Sequence, residues 1–136
     1  GRSAAEARER LLSAVDAELS ALESSNARLE RIERTRNSLE AHLAEGRSEP
    51  SFDALVDVWR SLDDLESSCE EVVSDRQALL RDPPFTRRTE RDPDFYAYLY
   101  EDIEGPRHPV LATVAEVTER IRSDRRNIEG RIVRGD

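Results

Sequence analysis

From Ser3 to about residue 45 the chain contains neither proline nor glycine, and Leu12, Val15, Leu19, Leu22, Asn26, Leu29, Ile32, Arg36, Leu39 and Leu43 follow one another in steps of three and four. Apolar residues at that spacing fall on one side of an α-helix, in the pattern of a coiled-coil seam. The steps from Leu22 to Ile32 are four, three and three, one residue short of a heptad, so the stripe drifts there toward a straight helix. A helix over residues 3–45 is roughly 65 Å long at 1.5 Å per residue. A single helix cannot bury its own stripe, so the rest of the chain has to supply partners.

Gly46 and Pro50 bracket a short connection, with Gly46 suited to the position after a helix and Pro50 to a first turn. A second helix is predicted over 50–81, with Phe52, Leu55, Trp59, Leu62, Leu65, Cys69, Val72 or Val73, Arg76 and Leu79 on one stripe. So short a connection makes the two helices antiparallel. Residues 82–106 have the proline and charge content of a loop, holding a short amphipathic helix over 93–103 with Phe95, Tyr96, Leu99 and Ile103. A last helix is predicted over 109–133, opened by Pro109 and carrying Val110, Val114, Val117, Ile121, Ile128 and Ile132. The expected fold is all-α: one domain spanning 1–136, with a long antiparallel hairpin, a short helix and a third long helix in a three-helix, coiled-coil-like bundle.

Charge then narrows the function classes. All 21 basic residues are arginine, and against 30 acids they leave the 136-residue chain at net −9. That balance opposes sequence-independent nucleic-acid binding and offers no polybasic membrane anchor. No apolar run approaches the roughly 18–20 residues that span a bilayer. The excess is uneven: residues 48–81 carry nine acids against three arginines, whereas residues 108–136 carry five against six. Opposite tendencies favour packing of the last helix beside the second. The first residue is Gly1 rather than Met, as expected of a trimmed chain or a fragment.

No constellation for catalysis is present. Cys69 is the sole cysteine, and its place between Leu65 and Val72 reads as a buried thiol, not a nucleophile paired with His108. Lone-cysteine usage fits a reducing cytoplasm. Neither His42 nor His108 has a glutamate three residues before it, as a di-iron bundle site requires, and there is no Gly-rich phosphate loop. The chain is therefore read as a non-enzyme with no cofactor and no metal. Two clusters remain. Leu12, Val15, Leu19, Leu22 and Asn26 lie where the first helix outruns the second, and form a candidate interface for a protein partner or a second copy. Arg76, Arg87, Arg88, Tyr98 and Tyr100 could converge as a ligand or packing cluster beside the short helix, which is the basis of an alternative reading as a ligand- or nucleotide-sensing regulator.

The run Leu65-Glu-Ser-Ser-Cys-Glu-Glu-Val-Val-Ser-Asp-Arg-Gln77, the run Tyr98-Leu-Tyr-Glu-Asp102 and the run His108-Pro-Val-Leu-Ala-Thr-Val-Ala115 together resemble the C-terminal part of a haloarchaeal family known as a domain of unknown function. The resemblance covers roughly residues 55–133. Members of that family are generally longer at the N-terminus and often place an aromatic where this chain has His108. The resemblance implies a halophilic archaeal source and carries no activity with it.

The expected function is a non-enzymatic interaction or scaffold protein of a halophile's cytoplasm. In molar salt the Debye length shrinks to about 3 Å, which screens the carboxylate repulsion that opposes folding in dilute buffer. Helical content followed by circular dichroism is therefore expected to rise with potassium chloride; a chain already fully helical at low salt would count against this source.

Overall fold

The computed structural model describes residues 2–46, 49–81 and 108–134. They form three helices: α1 over Arg2–Ala44, α2 over Phe52–Arg81 and α3 over Pro109–Arg134. Among the described residues 94% are helical and there is no strand, as the all-α reading expects. The expected short helix over 93–103 lies outside the described residues.

Helix ends follow local chemistry. α1 closes with Glu45 N–H donating to Ala41 C=O at 3.0 Å, just before Gly46. Ser51, not Pro50, starts α2: its hydroxyl accepts a hydrogen bond from the Ala54 amide at 3.1 Å. That bond satisfies one of the first-turn donors a helix leaves unmatched, and Asp53 adds negative charge beside them. Pro109 opens α3 as expected, with Ala112 N–H donating to His108 C=O at 3.1 Å.

α2 is the centre of the bundle. Leu55, Val58, Leu62, Leu65, Cys69, Val72 and Arg76 are its buried residues and alternate in steps of three and four. α3 buries Val110, Val114, Val117, Ile121 and Ile128 against them. Two stripe positions on α2 differ from expectation: Phe52 is 61% exposed, and Val58 takes the core place assigned to Trp59, which is half-buried. At about 100° per residue both aromatics sit roughly a quarter turn or more from the centre of the buried stripe. Cross-helix pairs set directions. Glu18 meets Arg76 and Arg28 meets Asp75, so α1 and α2 run antiparallel. Glu66 meets Arg122 and Trp59 meets Glu129, so α2 and α3 do too. Arg36 with Asp124 and Glu33 with Arg120 leave α1 and α3 parallel.

α1 has 43 residues and α2 has 30, a difference of about 20 Å of helix. Its C-terminal half, with Leu29 and Ile32 buried and Leu39 and Leu43 partly so, belongs to the core. Its first turns do not, since residues 3–13 are exposed apart from half-buried Arg10.

Gly130 lies inside α3, where a Cβ would meet only the Arg134 side chain at 3.7 Å. Glycine in a helix interior costs up to about 1 kcal/mol relative to alanine. Gly130→Ala should stabilise the bundle by roughly 0.5–1 kcal/mol in chemical denaturation; a loss of stability would show that the site is more crowded than this contact implies.

Candidate functional site

The seam of α1 turns as it leaves the core. A row of residues seven apart slips about 20° per heptad on a straight helix. Followed back from partly buried Leu43, that row goes through half-buried Arg36 and buried Leu29 to half-buried Leu22 and Val15, while the row from Leu39 goes through buried Ile32 to buried Ser25 and Glu18. Toward the N-terminus the inward positions are Ser25, Glu18 and Ala14, at 9%, 3% and 1% exposure. Leu12 and Leu19, expected on the seam, are 57% and 52% exposed, and Asn26 is exposed with them. Leu11, which the seam omitted, is 46% exposed. The candidate interface is thus divided: Leu22 packs on the core, Val15 is intermediate, and Leu12, Leu19 and Asn26 face outward.

Beside this outward row run Glu9, Asp16, Glu23 and Glu30, at strict seven-residue intervals and all exposed. Leu12, Leu19 and Asn26 each lie three residues after one of these acids and four before the next, the spacing that places side chains on one helix face. None of the four makes an ion pair or side-chain hydrogen bond among the described residues. Their seven-residue period is legible in the sequence, but it acquires meaning only once the helix is known to show this face to solvent.

Where Glu18 replaces the expected apolar residue, it enters the bundle and meets Arg76. Arg76 Nη1 donates to Glu18 Oε1 at 2.5 Å, with the two side chains 1% and 2% exposed. Arg76 lies on the apolar stripe of α2, where a buried charge needs a carboxylate; Glu18, between Ala17 and Leu19, is off the apolar row of α1, and only the packing of the helices brings it inward. Arg87, Arg88, Tyr98 and Tyr100 lie outside the described residues. Of that expected cluster only Arg76 is among the described residues, where it is 1% exposed.

Elsewhere the arginines tie helix to helix. Arg125 bridges Asp63 and Glu66, at 3.1 Å each, and lies 5.9 Å over the Trp59 ring. Arg122 Nε donates to Glu66 at 2.8 Å. Burial works to raise the Glu66 carboxyl, yet the hydrogen bonds and charges of Arg122 and Arg125 prevail and hold it below its ordinary range. These contacts realise the adjacency of α2 and α3 expected from segment charge.

The described surface offers little for chemistry. Cys69 is 1% exposed, and burial pushes its thiol up, away from the reactive thiolate. A groove of about 350 Å³ near the hairpin end is walled by Leu39, Leu43, Val58, Leu62 and Ile128. Its polar rim is engaged structurally, Arg36 with Asp124 and Arg131 with Glu49. Among the described residues no group of histidine, cysteine and carboxylate side chains could hold a metal ion, and no helix is long and apolar enough to cross a membrane.

The architecture defines an all-α helical bundle with an outward apolar row on an overhanging helix. Residues 1–125 match the family described as Domain of unknown function (DUF7260), and the chain belongs to that family. The match takes in all of α1, which the resemblance over 55–133 did not reach. No curated protein and no solved structure gives a significant match.

Breaking a buried pair by removing one partner typically costs about 3–5 kcal/mol, whereas replacing both partners with apolar residues is often near neutral. Glu18→Ala should therefore destabilise by that order in denaturant unfolding, and Glu18→Leu with Arg76→Met should recover most of the loss. A Glu18→Ala variant as stable as the parent would show that the buried pair does not hold α1 against α2.

Proposed function

We propose that this chain is a non-enzymatic interaction or scaffold protein of a halophilic archaeon's cytoplasm, and that it self-associates or binds a partner helix along the N-terminal third of α1. The observation that carries this reading is the outward face of α1 toward its N-terminus, where Leu12 and Leu19 are 57% and 52% exposed and Leu11 beside them is 46% exposed. Contiguous exposed apolar surface generally marks an interaction site. The lysine-free, acid-rich composition supports the halophilic setting, since solvated carboxylates are tolerated where salt screens them.

The test is Leu12→Asp with Leu19→Asp in molar potassium chloride. The variant should lose no more than about 1 kcal/mol, the helix-propensity cost of two aspartates. It should also lose association, read by sedimentation for self-assembly and by photo-cross-linking from position 12 in the source cells for a partner. Stability lower by several kcal/mol would show that the row is covered by this chain's own residues, and unchanged association would place the interface elsewhere; either overturns the reading.

A further inference from the structure

Resting on that reading, we infer that the occupant of the α1 face is a basic amphipathic helix of another protein: one whose apolar stripe is flanked by arginine or lysine at seven-residue intervals.

The argument is one of charge complementarity. Most acids at the helix contacts are matched: Glu33 and Glu40 by Arg36, Asp63 and Glu66 by Arg125, Glu71 and Asp75 by Arg28. Among the described residues Glu9, Asp16, Glu23 and Glu30 are not, although they border an exposed leucine row on α1. Unmatched acids also occur on the outer face of α2, at Asp53, Asp57, Asp64 and Glu70, but no continuous apolar row runs between those. A helix laid along Leu12, Val15 and Leu19 brings its own flank against the acid row, and flanking charges select partner and orientation in paired helices.

A second copy of this chain fits poorly. Laid antiparallel, its acid row would face the same acid row. Laid parallel, the row would meet the opposite flank, at Leu11, Glu18 and Ser25, which offers no cation and whose Glu18 and Ser25 are buried. The basic residues of α3 do not serve either, because Arg120, Arg122, Arg125 and Arg126 already meet Glu33, Glu66, Asp63 and Glu119. Among the described helices none presents an exposed apolar stripe edged with arginine, so the occupant inferred to complete both rows is a basic helix of another protein.

Two synthetic helical peptides test this, sharing one leucine stripe but flanked in one by arginine and in the other by glutamate. Each is labelled and titrated with the full chain by fluorescence anisotropy, at the lowest potassium chloride concentration that keeps the protein fully helical and again in molar salt. The arginine peptide should bind on the order of tenfold tighter in the lower salt, as expected from several weak rim pairs together. The preference should shrink in molar salt, where screening extends to about 3 Å. Changing Glu9→Gln, Asp16→Gln, Glu23→Gln and Glu30→Gln together should abolish the preference. The matching set on α2, Asp53→Asn, Asp57→Asn, Asp64→Asn and Glu70→Gln, should leave it intact, while Leu12→Asp with Leu19→Asp should abolish binding of both peptides. Equal binding of the two peptides, lost on the leucine substitutions, would overturn the charge preference while the docking surface stands. A preference removed equally by the α2 set would reduce it to net charge and overturn it as well. Binding of neither peptide would overturn both the inference and the reading beneath it.

Discussion

Everything else in the bundle is arranged around one strip on α2, the alternation from Leu55 to Arg76. α3 packs its valines and isoleucines along that strip, and α1 contributes Leu29 and Ile32 from the other side. Six of the strip's positions need only apolar neighbours. The seventh, Arg76, needs a carboxylate, because an isolated buried charge is far costlier than a buried methyl group. Glu18 meets that need, and in doing so sets which turn of α1 lies opposite which turn of α2.

That pairing also explains the two halves of α1. Toward its C-terminus the helix is a core element with leucine and isoleucine pointing inward. Past Leu22 toward the N-terminus its buried residues are Glu18 and Ala14, and Leu19, Leu12 and Leu11 sit outside. Beyond Ala14 the helix outruns α2. The same helix therefore holds the bundle at one end and shows an acid-edged leucine row at the other.

Arginine-only basicity has a structural use in such a scaffold. The guanidinium fork lets Arg125 reach Asp63 and Glu66 while stacking on Trp59, and lets Arg36 bond Asp124 and Glu40 at once. An ammonium group is a point charge without that planar, multidentate geometry. Exposed pairs of this kind add little individually, at most about 1 kcal/mol. Their effect is to favour one docking of α3 on α2, leaving apolar burial as the main source of cohesion.

The existence of the three long helices, their approximate ends, the antiparallel hairpin and the buried places of Cys69 and Arg76 were legible in the sequence, because helical periodicity and breaker residues are local signals. Membership of α2 and α3 in the core was legible for the same reason, except at Phe52 and Trp59, where a residue near the stripe's edge goes inside only if a neighbour reaches it. The facing of α1 was not. Its leucines from 12 to 22 repeat as cleanly as those of α2, yet a straight helix slips against a seven-residue repeat, and which angular sector is covered depends on where α2 and α3 happen to lie. The sequence by itself determined the helices and the charges they carry; only the tertiary structure decided that Glu18 goes inside and Leu12 and Leu19 stay out, because burial is a relation between helices and no single helix specifies its own neighbours.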